Sequence, residues 1–384
     1  MDFDFTEDQE MIRSSMKSML DKEYPPEKVR EMEEDPKGYD PGLWKQMAEL
    51  GWLGLSLPEE YGGAGADVLD LMIVIEEMGR KILSGPFFST MVLCSLPLVR
   101  YGSAEQKKEY LTSIANGEQI WTLAYYEPNA THDLSGVRLR AQLQDDTYRL
   151  SGTKVFVPYA HVADYLLVVA RTGEGDENGI TLFIVDGKDP GLFTEIIPTA
   201  AHDKQCEVTF NEVSGPKNMV LGEAEKGQEI VNFIFQQGAA LKSAEMLGGA
   251  EAMLEMTNAY AKERVQFDQL IGSFQAIQHK LADLLVEIEG LRYMVHETCW
   301  AISNGSASDF LISATKTKAN EVYQRTGFEC MRLHGAVGFT KELDLGLYHL
   351  RSKSSEHTMG DSPFHREIIA RELEQYEAPV FALR

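Results

Sequence analysis

Cysteine is scarce: four residues in 384, at Cys94, Cys206, Cys299 and Cys330, widely scattered and with no C-x-x-C. Such spacing supplies neither a disulfide framework nor a Cys/His ligand set, so buried thiols in a reducing compartment are expected. His132, His161, His334 and His365 also lack ligand spacing, and no metal site is expected. No apolar run reaches the roughly 18 residues that a membrane span needs, and the opening MDFDFTEDQEM is acidic without an apolar signal core. A cytoplasmic protein with no membrane partner is the expectation. Positive charge is in deficit: 36 Lys and Arg against 60 Asp and Glu leave a net charge of −24. That surface repels nucleic acid and anionic lipid. No G-x-G-x-x-G follows a strand-like run, which excludes a Rossmann phosphate site, and there is no internal repeat.

What remains is 43% hydrophobic, enough for two or three domains with cores of their own. Residues 1–120 read as helices. Thr6 offers an N-cap to Met11, Ile12, Met16 and Leu20 at helical spacing, Gly51 ends a second helix, and Ser103 opens a third. Residues 121–230 change character: Tyr148–Leu150, Val155–Val157, Tyr165–Ala170, Ile180–Val185, Phe193–Ile197 and Cys206–Phe210 are β-rich runs between turn residues. Helical spacing returns from about Gln228 to Glu377, interrupted at Gly305 and around Gly335–Gly338. The expected fold is α+β: an N-terminal helical domain (1–120), a middle β domain (121–230) and a C-terminal helical domain (231–384).

Within the last segment, Leu270, Ile271, Phe274, Ile277, Leu281, Leu284, Leu285, Ile288 and Leu291 recur three or four residues apart, which predicts one helical stripe. Arg264, Gln266 and Phe267 lead into it. Arg264 suits a diphosphate because a planar guanidinium donates several hydrogen bonds, but a solvated helix-end arginine fits the spacing as well.

The stretch Glu263–Asp283, ERVQFDQLIGSFQAIQHKLAD, resembles the C-terminal domain of the acyl-CoA dehydrogenase family. So do LWKQMAELGWLGLSLPEEYGG (Leu43–Gly63) and EEMGR (Glu76–Arg80) for its N-terminal domain. The resemblance implies a C-terminal four-helix bundle, FAD as cofactor, and removal of an α-proton from an acyl-CoA thioester by a glutamate. That glutamate lies in a Y-E-G-T motif, which is similar to Thr358-Met359-Gly360-Asp361 here, so Met359 takes the place of the base. The family's alternative base position falls at Gly238, beside Ala239. A thioether and a hydrogen cannot take up the proton. Asp361 is the remaining candidate base nearby; Glu245 and Glu356 fit ordinary solvated or paired carboxylates better.

The flavin contacts implied by the resemblance are uneven. The loop T-E-P-G-A-G-S-D corresponds to Tyr126–Asp133, where Tyr126 and His132 replace the ring-binding hydroxyls and Asn129 and Thr131 replace glycines. W-I-T is Phe156-Val157-Pro158, and Asp361 and Pro363 stand where a Thr and a Gln contact the cofactor. Arg264, Gln266 and Phe267, with Arg332, Gly335 and Ala336, are the residues expected on a neighbour's FAD. The pattern resembles the subunit without a catalytic Glu of bacterial α2β2 enzymes. Its expected partners are a Glu-bearing paralogue, an acyl-CoA, often bulky or ring-derived, and an electron-transfer flavoprotein. Two alternatives stand beside it: a self-sufficient homotetramer using a displaced base such as Asp361, and a non-catalytic scaffold.

Overall fold

A computed structural model describes residues 5–129, 131–172 and 179–375. Ala130 of the Tyr126–Asp133 loop, the turn at 173–178 and the expected helix end beyond 375 lie outside the described residues. By contact the chain divides into two compact units, with three of the four divisions falling inside helices α1 (Glu7–Glu23), α4 (Val68–Arg80) and α7 (Gly227–Glu263) and the fourth after Ile82.

The unit of Met19–Leu71 and Leu83–Gly238 combines short helices with one sheet. Helices α2 (Pro26–Glu34) and α3 (Pro41–Glu49) are followed, after a buried π-helical stretch at Phe88–Ser95, by α5 (Leu96–Tyr101) and α6 (Ala104–Ala115). Local chemistry fixes their ends. Asp40 accepts the N–H groups of Gly42 and Leu43 at the start of α3, and Gly51 (φ +81°) turns the chain after it. Ser103 and Gln106 satisfy each other's backbone N–H at the start of α6.

The sheet contains β1 (Trp121–Ala124), β2 (Arg140–Gln144), β3 (Thr147–Pro158), β4 (Tyr165–Arg171), β5 (Ile180–Asp186), β6 (Leu192–Ile197), β7 (Gln205–Pro216) and β8 (Val220–Leu221). Its order is β6-β7-β3-β2-β4-β5-β8, with β1 added parallel to β4. Leu150, Val157, Val168, Phe183, Val208 and Phe210 form its buried face. The six β-rich runs all lie in strands, but Tyr148–Leu150 and Val155–Val157 belong to one, β3, which continues through the Gly152-Thr153 pair read as a turn. The sequence reading omits β1, β2 and the two-residue β8, the first two for opposite reasons. β1 is buried at every position and shows no alternation, while β2 (RAQLQ) buries only Ala141.

The other unit holds the residues up to Ser18, Met72–Ile82 and those from Ala239 on. Thr6 caps α1 reciprocally with Gln9, at 3.1 and 3.2 Å. Backbones of α4 and α7 meet closely: a Cβ on Gly79 would lie 2.0 Å from the Glu245 carbonyl, and one on Gly248 2.0 Å from that of Glu76. A buried charge lattice surrounds this contact. Glu76 faces Arg13 at 3.1 Å and Arg292 at 3.4 Å, and Arg80 reaches Glu251 at 2.7 Å. Burial, together with the neighbouring Glu76, pushes Glu251 up to about 7. Three further helices follow, α8 (Gln275–Ser303), α9 (Asp309–His334) and α10 (Leu345–His357), and then α11 (Ser362–Gln375).

One expectation needs correction here. The stripe predicted from Leu270 begins only at Gln275. Residues Val265–Gln266 (β9) and Gln269–Leu270 (β10) instead pair as a hairpin whose two turn residues, Phe267 and Asp268, have φ of +55° and +60°. Two successive positive φ values close a two-residue hairpin and cannot continue a helix. Leu270 therefore stays exposed; within α8, Leu284, Ile288, Leu291, Val295 and Cys299 face the core and Leu285 lies outside that face, exposed.

Candidate functional site

The segment joining α10 to α11 carries Met359, and it is held from α9. Met359 has φ +59° and is only 3% exposed. His365 Nε2 lies 2.9 Å from the Met359 carbonyl, and its Nδ1 lies 3.1 Å from Ser313 Oγ. Gly360 (φ +100°) packs so closely that an added Cβ would sit 2.6 Å from both His365 and Phe364. Asp361 precedes α11 and accepts the Phe364 N–H through Oδ1 at 2.9 Å, so its carboxylate serves as a helix cap. Pro363, in the first turn of that helix, has no N–H to offer.

Beneath this segment lies Lys316, wholly buried. Its ammonium donates to Asn320 Oδ1 at 2.5 Å and to the carbonyls of Gly360, Glu356 and Ser355 at 3.1, 3.2 and 3.3 Å. Burial, and then the neighbouring Lys242, pull Lys316 down to about 7, against the attraction of Glu356, Asp361 and Glu245. Glu245 is paired with Lys242 at 2.5 Å, and Glu356 with the Gln324 amide. The weighed carboxylates Glu245, Glu356 and Asp361 are thus each engaged by a neighbour.

In the other unit, the Tyr126–Asp133 loop is anchored by a second buried lysine. Lys154 Nζ contacts Glu127 Oε1 at 2.7 Å and donates to the Tyr125 carbonyl at 2.9 Å. Glu127 also accepts the N–H groups of Arg138 and Leu139 at 2.9 and 3.0 Å. Burial draws Lys154 down to about 8 although Glu127 pulls the other way. Tyr126 Oη and His132 Nδ1, the two substituted positions, lie 3.0 Å apart and engage each other. Phe156 is 49% exposed with φ +53°, and the Pro158 carbonyl accepts the Thr122 hydroxyl. Gly238 is buried within α7.

The remaining expected residues are exposed. Arg264 and Gln266 flank the hairpin start and Phe267, at its tip, is 88% exposed. Arg332 pairs with Glu329 at 3.0 Å in the last turn of α9, and Gly335 and Ala336 follow at the surface. The four cysteines are buried thiols, and no cluster of metal ligands exists among the described residues.

Lys154, Lys316 and Asn320 escaped the sequence reading. A signal existed for each lysine. Alternation along β3 puts Lys154 inward with Tyr148 and Leu150, and helical spacing puts Lys316 on the stripe of Ile312, Ala319 and Tyr323. A charged residue on an apolar face needs a partner, and the partner could not be named from the pattern.

Profiles of the family's three parts match this chain: "Acyl-CoA dehydrogenase, N-terminal domain" at residues 6–118, "middle domain" at 122–213 and "C-terminal domain" at 225–374. A helical, a β and a helical domain in this order define the fold of an FAD-dependent oxidoreductase. The chain belongs to the acyl-CoA dehydrogenase family. It is 33% identical over 386 residues to the probable acyl-CoA dehydrogenase YngJ of Bacillus subtilis, with 97% of this chain and 100% of the relative covered. Among solved structures it is similar to the ChsE4-ChsE5 complex of Mycobacterium tuberculosis, with 28% identity, a TM-score of 0.90, and 98% and 100% of the two chains covered. It is also similar to the FAD complex of PigA, with 28% identity, a TM-score of 0.90 and coverage of 97% and 99%. No helix among the described residues is long and apolar enough to cross a membrane.

Proposed function

We propose that this chain is the base-less subunit of a heteromeric, FAD-dependent acyl-CoA dehydrogenase that completes a partner subunit's flavin site. The observation that carries the reading is Met359: a buried thioether, on a rigidly held segment, at the family's base position. Deprotonation α to the thioester needs a carboxylate near working pH. Gly238 offers none, and Asp361 is committed to the cap of α11.

FAD, when bound, accepts the hydride. This chain's residues divide in their fit to it. Tyr126 and His132 bond to each other, Asp361 puts negative charge and Pro363 a missing donor at the start of α11, and a flavin held wholly by this chain does not fit them. Arg264, Gln266 and Phe267 on an exposed hairpin, with Arg332, Gly335 and Ala336, suit a cofactor held by a neighbour, where an arginine can clamp phosphate. The likeness to a structure of two named components, ChsE4 and ChsE5, supports a heteromer. In this reading the partner is a Glu-bearing paralogue, the domains meet near residues 120 and 230, the substrate is a bulky or ring-derived acyl-CoA, and an electron-transfer flavoprotein takes the electrons in the cytoplasm.

Purification tests this directly. The chain alone is expected to be colourless. Co-expression with a Glu-bearing paralogue is expected to give a yellow complex with one FAD per pair. A yellow homo-oligomer that oxidises an acyl-CoA overturns the proposal.

A further inference from the structure

Three side chains of α9, at Ser313, Lys316 and Asn320, occupy one face of the helix at spacings of three and four residues. Together they engage the whole α10–α11 segment. Lys316 binds the carbonyls of Ser355, Glu356 and Gly360, Ser313 orients His365 toward the Met359 carbonyl, and the Asn320 amide reaches Ser362 Oγ at 3.3 Å. The four acceptors around Lys316 Nζ exceed its three N–H groups, so its donors are fully used. The ammonium has no carboxylate in direct contact among the described residues. Its partners are three main-chain carbonyls and one amide oxygen.

A buried lysine in this position is costly to desolvate and gains no direct ion pair. A methionine would fill the same volume without that cost. What the ammonium supplies is geometric: it draws two carbonyls of the last turn of α10 and that of Gly360, beyond the helix end, toward a single point. It thereby leaves residue 359 in a left-handed conformation that a non-glycine residue adopts only under constraint.

We propose that Lys316 is a positioning residue, which with Ser313, Asn320 and His365 clamps the α10–α11 segment and sets the direction of the side chain at 359. This rests on reading Met359 as the vacant base position, and it adds to that reading. The clamp of a base is complete in a chain that lacks the base itself.

A thiol reporter tests the clamp. The full chain, purified with its partner where assembly requires it, carries Met359→Cys and is labelled with a maleimide, with sites resolved by mass spectrometry. Cys299 and Cys206, both buried, serve as internal references. With Lys316 present the new thiol should react as slowly as Cys299. Lys316→Met should speed it about tenfold relative to both references, because only the turn opens. In Lys316→Ala, added n-propylammonium should restore slow labelling and 1-propanol should not, because a neutral alcohol has one donor for four acceptors. Asn320→Ala, which keeps the lysine, should give about a threefold increase and decides the matter if the lysine variants fail to fold.

Unchanged labelling at 359 overturns the proposal. So does equal acceleration at 359 and Cys299, which marks general loosening, or equal rescue by the alcohol. A yellow, active homo-oligomer would defeat the heteromeric reading without touching these rates, so the two can fail separately.

Discussion

Each compact unit contains a fully buried lysine that ties down a segment named by the family resemblance, and the two are solved differently. Lys154 meets a carboxylate, Glu127, which in turn receives two backbone N–H groups; charge is neutralised within the site. Among the described residues Lys316 meets only neutral oxygens, and carboxylates act on it from a distance. Burial lowers both; repulsion from Lys242 adds to it at Lys316, drawn down to about 7, and the Glu127 carboxylate opposes it at Lys154, drawn down to about 8. A paired lysine fixes a loop strongly. A lysine bonded to carbonyls fixes a backbone shape and stays sensitive to its own protonation.

The sharpest way to break the comparison is to remove the countercharge where one exists. Glu127→Ala leaves a buried ammonium and two N–H groups unpaired, and should cost about 3–5 kcal/mol in denaturant unfolding. Lys316→Met removes the ammonium from the Glu356 and Gly360 carbonyls, leaves the Ser355 carbonyl with the Thr358 N–H, and strands no charge, so it should cost about 2–3 kcal/mol. If the two costs come out in the reverse order, the contrast between a paired and an unpaired lysine is wrong. Lys154→Met combined with Glu127→Gln should recover most of the loss, to within about 1 kcal/mol of the parent, since both charges go together.

Smaller, but more discriminating, is the dependence on pH. Both lysines have folded values below the ordinary 10.5. Between the folded and the unfolded value the unfolded chain binds more protons, so stability rises with pH in that interval and is flat below it. The rise should start near pH 7 for Lys316 and near pH 8 for Lys154, at most about 1.4 kcal/mol per pH unit each. Above about pH 10, burial of Tyr125 and Tyr323 acts in the opposite direction, since their phenols are held protonated in the fold. Unfolding midpoints measured at about pH 7, 8 and 9 should lose the early part of the rise in Lys316→Met and the later part in Lys154→Met.

The smallest effect on stability is expected at the exposed hairpin. Phe267→Ala should change the stability of the isolated chain by no more than about 0.5 kcal/mol, because the ring is 88% exposed. Arg264→Ala should be equally mild for folding, yet it should lower FAD occupancy in the mixed complex, measured by the ratio of flavin to protein absorbance. A large loss of stability with unchanged flavin would assign these residues to the fold instead of the partner.

Local pattern carried far in this chain. The caps at Thr6 and Ser103 and the break at Gly51 stand in the fold as the residues predict, and the β-rich runs lie in strands, although two of them join as β3, since each depends on neighbours within a few positions. The hairpin at Val265–Leu270 was hidden because apolar spacing continued through a stretch that the backbone crosses with two positive φ values. At the candidate site, the methionine at 359 that the proposed function takes for a vacant base position was legible from the motif alone. The substitution of the 126–133 loop was equally visible, but the engagement of Tyr126 with His132 was not.

Sequence by itself determined the order of helical and β-rich segments, the family, and the residue types at the expected base and flavin positions. Tertiary structure alone decided which buried polar atoms meet: Lys154 with Glu127 across 27 residues, and Lys316 with the Gly360 carbonyl across 44. The reason is physical. Periodicity reports which face of an element leaves water, and a hydrogen bond depends on donor and acceptor positions that only the packed chain brings within about 3 Å.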